Sequence, residues 1–242
     1  MVQNFFKSEV ENYKALLKAI PSFTLMMFVV SVIIMNLMAG KFIVNTSFIQ
    51  ATGGFLLSWL PFLCMDIVSK HFGAKASIRM NIFGLIIYLG CVLMFQLVSS
   101  VQYTPAAPDA DYSAFNSIFS TQWQILVASS TAFVISGIVN SIINVTIGKM
   151  FKTNPDGKLA YVSRCYVSTF IGQFVDNFIF VALLNTFFTW SFNWPILPVI
   201  GAALIGGILE LITEIIFSPI GYKATNNWKK ECVGKEYIEK YC

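Results

Sequence analysis

Six apolar segments along the chain are long enough to cross a lipid bilayer as helices. Each approaches the roughly 20 residues that span a hydrocarbon core, and polar or charged residues separate one segment from the next. Pro21 and Pro195 stand at the start of two segments, where a missing backbone N–H is harmless, and Pro219 is expected to follow the last. We therefore predict an all-α membrane protein with six transmembrane helices, at residues 22–44, 52–70, 80–100, 122–148, 165–189 and 195–218.

Lysine and arginine gather in every second connection between these segments. All 16 of them except Lys41 lie in the N-terminal arm, the second-to-third and fourth-to-fifth connections, or the C-terminal tail. With six spans these four regions share one side of the membrane, and positively charged connections mark the cytoplasmic side. We therefore predict two cytoplasmic termini, with an N-terminal arm over 1–20, a six-helix transmembrane domain over 21–220 and a basic tail over 221–242.

The composition agrees with a membrane location. Of the 242 residues 56% are hydrophobic and 12% are charged, whereas a typical soluble domain has about 25% charged residues. The N-terminus has no apolar run after its first charge, so we expect no signal peptide. The five cysteines and the single histidine show no metal-ligand spacing, so we expect free thiols, no metal and no cofactor. The side preference of the positive charges explains the basic excess without direct nucleic-acid binding.

Several polar side chains nevertheless fall inside the apolar segments. Asp176 lies near the middle of the fifth segment, where a charge costs about 2.5–3.5 kcal/mol on insertion scales. Gln173 and Asn177 accompany it on or beside the same helix face. The further candidates are Glu210 on the sixth segment, Asp66, Trp59 and Phe62 on the second, and Asn36 and Lys41 on the first. Such side chains suit a cavity or a partner rather than lipid, so we predict that they line a binding site.

Two short elements suggest an internal repeat. Residues 36–41 and 144–149 both read N-x-x-x-G-K, and each precedes a membrane aspartate, Asp66 or Asp176, by a similar distance. The first segment would run outward and the fourth inward, so the pattern is compatible with an inverted repeat of three plus three helices. Secondary transporters often have this architecture, with a substrate site near the bilayer midplane. A chance match of so few residues is the alternative.

The second segment resembles a known family signature. Residues 62–73 are similar to the second-helix element of the queuosine precursor transporter family, six-span proteins also called vitamin uptake transporter-like, with an Asp at 66 and an aromatic–Gly pair at its end. Residues 36–41 and 168–180 resemble the family's first-helix and fifth-helix elements. The resemblance implies uptake of a 7-deazaguanine base for salvage into the tRNA nucleoside queuosine, through a prokaryotic plasma membrane. Queuine, 7-cyano-7-deazaguanine and 7-aminomethyl-7-deazaguanine are the candidate substrates.

The chemistry of these bases suits the candidate residues. A guanine-like edge presents an N–H and an amino group side by side, and the carboxylate of Asp176 or Glu210 can accept both. An aromatic ring that stacks on a flat base contributes about 1–3 kcal/mol. The other expected contacts are Gln173 and Asn36 for the carbonyl oxygen, Trp59 or Phe62 for the ring face, and Lys41 to neutralise an acid.

The energy source and the molecular class leave alternatives open. The surplus of membrane carboxyls favours proton-coupled uptake, and facilitated diffusion with metabolic trapping fits equally well. The chain also fits the substrate-binding subunit of an energy-coupling-factor importer with partner subunits, or a homodimer, but it has no phosphate-binding loop for ATP. An intramembrane aspartyl enzyme with Asp66 and Asp176 as its dyad is the rival class. The sequence lacks the motif context of such enzymes, so we expect a transporter.

Overall fold

The part of the chain that the structure describes is mainly helical and contains a small β-hairpin. The structure is a computed structural model that describes residues 2–46, 50–101, 111–150, 158–186 and 195–241. Two short strands, β1 (Phe42–Asn45) and β2 (Gln50–Thr52), pair antiparallel between the second and third helices. The helices are α1 (Val2–Ala19), α2 (Ser22–Ala39), α3 (Phe55–Phe72), α4 (Ala74–Ser100), α5 (Ser113–Phe119), α6 (Gln122–Met150), α7 (Lys158–Thr186), α8 (Ile196–Lys230) and α9 (Lys235–Tyr241).

Six helical segments among the described residues have the length and hydropathy needed to cross a membrane. They are Ser22–Ala39, Phe55–Phe72, Ala74–Ser100, Ser113–Val139, Thr169–Thr186 and Ile196–Phe217. This finding confirms the predicted all-α membrane fold with six spans. The cytoplasmic location of the termini and the inverted repeat stay predictions.

Apolar side chains on the outside of α4 suit contact with lipid. Ile82, Ile86, Leu89 and Leu93 follow one another at helical spacing, and between 42% and 61% of each is exposed. A soluble monomer rarely exposes so long an apolar stripe, because water disfavours it. The hydrocarbon core of a bilayer imposes no such cost.

The first span is shorter than predicted and ends in a turn. Helix α2 stops at Ala39, and residues 42–44, expected to be helical, belong to β1. The Lys41 N–H donates to the Met38 carbonyl (3.2 Å), and the Gly53 N–H donates to the Lys41 carbonyl (2.6 Å). Strand pairing therefore provides hydrogen-bond partners for backbone groups that the apolar pattern alone assigned to the helix. Gly148 stays within α6, so the two N-x-x-x-G-K elements differ in backbone conformation.

The last apolar span, Ile196–Phe217, ends close to the predicted residue 218, but the helix that contains it does not end there. Helix α8 continues through Pro219 to Lys230 and has 35 residues. At 1.5 Å per residue its length is about 52 Å, well beyond the roughly 30 Å of a hydrocarbon core. A proline removes one intrahelical hydrogen bond, and a long helix can continue past it with a local kink. The buried Thr225 hydroxyl, further along α8, donates to the Gly221 carbonyl at 2.8 Å.

The other boundaries differ by smaller amounts. Helix α4 begins at Ala74, directly after Gly73, rather than at residue 80. Gly73 has a φ of 87°, which favours glycine, and its N–H donates to the Ser69 carbonyl. The basic residues of this tight connection are therefore helical. Residues 187–189 of the predicted fifth span lie outside the described part of the chain.

The chain divides into two compact units, and each is described by itself. Unit 1 consists of Met1–Met35, Leu57–Tyr88 and Glu214–Cys242, and unit 2 consists of Asn36–Leu56 and Leu89–Thr213. Unit 1 therefore contains α1 and α9, and unit 2 contains the β-hairpin, α5, α6 and α7.

In unit 1 the N-terminal helix meets the start of α4 and the C-terminal helix. The Arg79 guanidinium contacts both carboxylate oxygens of Glu9 through Nη2 (3.1 and 3.3 Å) and Nε (3.3 Å), and its Nη1 donates to the Tyr237 hydroxyl at 3.5 Å. The hydrogen bonds from Arg79 lower the pKa of the Glu9 carboxyl. This contact agrees with the prediction that the N-terminal arm, the second-to-third connection and the tail share one side of the membrane.

An aromatic cluster closes the same end of unit 1. Phe72 contacts Trp228, Tyr237 and the ring of His71, with ring centroids 4.6–6.0 Å apart. The Nε2 of His71 lies 2.9 Å from the Val233 carbonyl, so in that contact it donates. The arm and the tail are thus packed helices of one unit.

Candidate functional site

The predicted polar face of α7 lies in unit 2 and reaches both flanking helices. Gln173 is buried (8% exposed), and Asp176 and Asn177 follow one turn later on the same side of the helix. Asp176 and Asn177 are adjacent, yet one has its partner on α6 and the other on α8. The consecutive pair therefore links three helices through polar contacts at membrane depth.

Asp176 contacts a serine on α6. The Ser136 hydroxyl donates to Asp176 Oδ1 at 2.8 Å and also lies 3.1 Å from the carbonyl oxygen of Phe133 in its own helix. Ser136 is 7% exposed, so α6 and α7 pack closely around the contact. A serine of an apolar segment usually bonds to its own helix, so the sequence offered no signal for this partner.

Asn177 contacts a glutamate on α8. Its Nδ2 donates to Glu210 Oε2 at 3.1 Å and to the Gln173 carbonyl at 2.9 Å, so both amide hydrogens have an acceptor. The contact uses one lone pair of one carboxylate oxygen, and a carboxylate offers about four. This contact holds Glu210 in position beside α7.

Glycine residues allow α8 to approach this part of α7. A Cβ at Gly206 would lie 2.7 Å from Oδ1 of Asn177, and a Cβ at Gly207 would lie 3.3 Å from the backbone nitrogen of Phe174. Small residues at a helix–helix contact bring backbones together and strengthen packing inside membranes. The Asn177–Glu210 hydrogen bond depends on this close approach.

The remaining predicted site residues belong to α2, α3 and the turn after α2. Asn36 is buried (3% exposed), whereas Lys41 lies in the turn after α2 with an exposed side chain. Trp59 belongs to unit 1, where it stacks on Phe217 with ring centroids 3.8 Å apart and planes 12° apart. Phe62 is partly buried in the same unit. The Asp66 side chain lies outside the described part of the structure.

Asn81 on α4 was not among the candidate residues predicted from the sequence. Its side chain is 6% exposed, and its Nδ2 is buried without a hydrogen-bond partner among the described residues. An asparagine within an apolar segment is a detectable signal, although many such residues only hold helices together. Asn81 belongs to unit 1.

The described residues contain no group of three or more His, Cys, Asp or Glu side chains that could hold a metal ion. Cys64, Cys91 and Cys232 are free thiols.

Six membrane-length helical segments among the described residues define a multi-pass membrane protein, and polar side chains of α6, α7 and α8 contact one another at membrane depth. Residues 52–224 match the protein family described as "Putative vitamin uptake transporter". Because the match covers more than half of the chain, the chain belongs to this family, whose description indicates uptake of a small molecule. The match confirms the family resemblance of the sequence elements. No curated protein and no solved structure matches the chain.

Proposed function

We propose that this transporter imports a queuosine precursor, a 7-deazaguanine base, through the plasma membrane of a prokaryotic cell. The observation that supports this substrate class most directly is the Asn177–Glu210 contact of 3.1 Å. It holds a carboxylate inside the span Ile196–Phe217. A carboxylate has two oxygens that accept hydrogen bonds, so it is the group expected to accept the paired N–H donors of a guanine edge.

The neighbouring residues supply the other contacts that a flat base requires. In the proposal the amide of the buried Gln173 donates to the carbonyl oxygen of the base, one turn from Asn177. Phe180 follows Asp176 by one turn and is partly buried, so it offers an aromatic surface within the same unit. Asn177 acts as a positioning residue, because both of its amide hydrogens already bind protein acceptors.

Thermal unfolding of the detergent-purified protein tests the substrate. The panel contains queuine, 7-cyano-7-deazaguanine, 7-aminomethyl-7-deazaguanine, guanine, adenine, riboflavin and biotin. A ligand at 100 times its Kd stabilises the folded state by about 2.7 kcal/mol, which raises the unfolding temperature measurably. We expect at least one deazaguanine to raise it and adenine to leave it unchanged. Stabilisation by riboflavin or biotin alone, or by none of the compounds, contradicts the proposed substrate.

A variant of Glu210 tests the assignment of the guanine edge. Glu210→Gln replaces one acceptor oxygen by a donor, and hydrogen bonds to charged groups contribute about 1.5–3 kcal/mol. We expect the Kd for the stabilising deazaguanine to rise by roughly 10-fold to 100-fold. Glu231→Gln is the matched control, because Glu231 is exposed beyond the end of α8. Equal affinity of both variants removes Glu210 from the site.

A further inference from the structure

We propose that Asp176 and Ser136 form the proton-binding site of the transporter, so that each base enters together with a proton. The proposal rests on the uptake function proposed above and adds its energy source. It assigns different tasks to the two carboxyls, since Glu210 reads the base and Asp176 carries the proton.

The hydrogen-bond geometry of Ser136 accommodates both forms of Asp176. A hydroxyl has one hydrogen and two lone pairs, and Ser136 has two acceptors within reach, Asp176 Oδ1 at 2.8 Å and the Phe133 carbonyl at 3.1 Å. When Asp176 is ionised, the hydroxyl donates to the carboxylate. When Asp176 is protonated, its O–H donates to Ser136 Oγ, and the serine turns its own hydrogen to the Phe133 carbonyl.

Neither form leaves a buried donor without an acceptor at this contact. This property matters at membrane depth, where an unpaired polar group costs several kcal/mol. A proton can therefore join or leave Asp176 through rotation of one hydroxyl, with no repacking of α6 against α7. Proton binding makes the Asp176 side chain neutral. A neutral side chain costs less free energy than a charged one in the low-dielectric interior of the membrane.

Among the ionisable side chains described around this contact, Asp176 is the one that suits proton binding. Within unit 2, the described side chains of α6, α7 and α8 include two carboxyls, Asp176 and Glu210, and the phenol of Tyr166 is also ionisable. Glu210 accepts a hydrogen bond from the Asn177 amide nitrogen, which can only donate. An amide donor suits a carboxylate that stays ionised to accept N–H groups, whereas the Ser136 hydroxyl serves both forms.

Infrared difference spectroscopy of the detergent-purified protein during a pH change tests the proton site without any substrate. We expect a carboxylic-acid C=O band that disappears in Asp176→Asn and shifts to higher frequency in Ser136→Ala, because the acid loses a hydrogen-bond partner. Ser136→Thr should keep the wild-type frequency. Ser129→Ala is the control, since Ser129 lies two turns earlier on α6 and donates to the Leu126 carbonyl. Absence of an Asp176 band, or a band unchanged by Ser136→Ala, overturns the proposal.

Vesicle transport then tests the coupling. Protein is reconstituted into liposomes that contain a pH-sensitive dye, and 7-cyano-7-deazaguanine is added outside. We expect the lumen to acidify during uptake by the wild type and the Ser129→Ala control, and this acidification to be lost in Asp176→Asn. Uptake of the base by the wild type without acidification overturns proton coupling and leaves the uptake function intact. No uptake of any panel base overturns the uptake function, and the infrared result still decides the proton site.

Discussion

Gly206 of α8 lies so close to Asn177 of α7 that a Cβ on the glycine would stand 2.7 Å from the Asn177 Cγ. The same asparagine donates to Glu210 one turn further along α8. The glycine therefore sets the distance between the two helices at the proposed site. Packing and ligand recognition depend on the same contact.

Gly206→Ala is expected to destabilise the protein. The Asn177 amide has two hydrogen bonds and cannot move aside freely, and overpacking of a tight contact costs about 1–3 kcal/mol. A lower unfolding temperature and weaker binding of the deazaguanine are the expected results. Gly90→Ala is the control, because a Cβ there meets nothing within 4 Å and alanine favours a helix by up to about 1 kcal/mol. Equal or higher stability of Gly206→Ala would show that the helices can separate at no cost.

Gly73 and Gly234 both have a positive φ, so their alanine variants can distinguish the cost of backbone strain from the cost of overpacking. A Cβ at Gly73 (φ 87°) would meet no atom within 4 Å, whereas a Cβ at Gly234 (φ 62°) would lie 2.6 Å from the Phe72 ring. Each alanine variant carries the left-handed backbone penalty of about 1–2 kcal/mol. We expect Gly234→Ala to lose more stability than Gly73→Ala in thermal unfolding, by about 1–3 kcal/mol from overpacking. Equal losses would mean that Phe72 has room to move.

The Glu9–Arg79 contact predicts a pH dependence of stability. Because Arg79 lowers the pKa of Glu9 below its usual 4.5, the ionised carboxylate stabilises the folded state. This contribution is fully present above pH 4.5 and is lost as the pH falls through the lowered value of the folded state. The unfolding temperatures of the wild type and Glu9→Gln should therefore differ near neutral pH and converge in acid. A difference that stays constant into strong acid contradicts the assignment. Glu11→Gln is the control, since Glu11 is exposed on the same helix.

The stacked rings of Trp59 and Phe217 predict an energetic coupling between α3 and α8 within unit 1. Their centroids are 3.8 Å apart and their planes differ by 12°. Aromatic pairs contribute about 0.5–1.5 kcal/mol beyond the area they bury. A double-mutant cycle with Trp59→Leu and Phe217→Leu should give a coupling energy in this range, and Trp59→Phe should retain part of it. Strictly additive losses would show that the stack contributes burial alone.

Some features of this chain can be predicted without a structure because they depend only on residues that are close together in the sequence. The length and hydropathy of each apolar segment decide whether it can span a bilayer, so the six spans and the polar face at Gln173, Asp176 and Asn177 follow from residue spacing. Helix ends are less local. Lys41 leaves the first helix because the strand Phe42–Asn45 finds a partner at Gln50–Thr52, and α8 passes through Pro219 although proline usually ends such a pattern.

The sequence by itself determined the class of the protein, the number of its spans and the face of α7 that carries the polar residues. Only the tertiary structure decided which groups meet across that face, because partners on other helices depend on how the helices pack. Ser136 is one of several serines on α6, and packing against α7 distinguishes it as the partner of Asp176. Gly206 likewise gains its importance from the helix opposite, since a missing side chain has consequences only where another atom occupies the space.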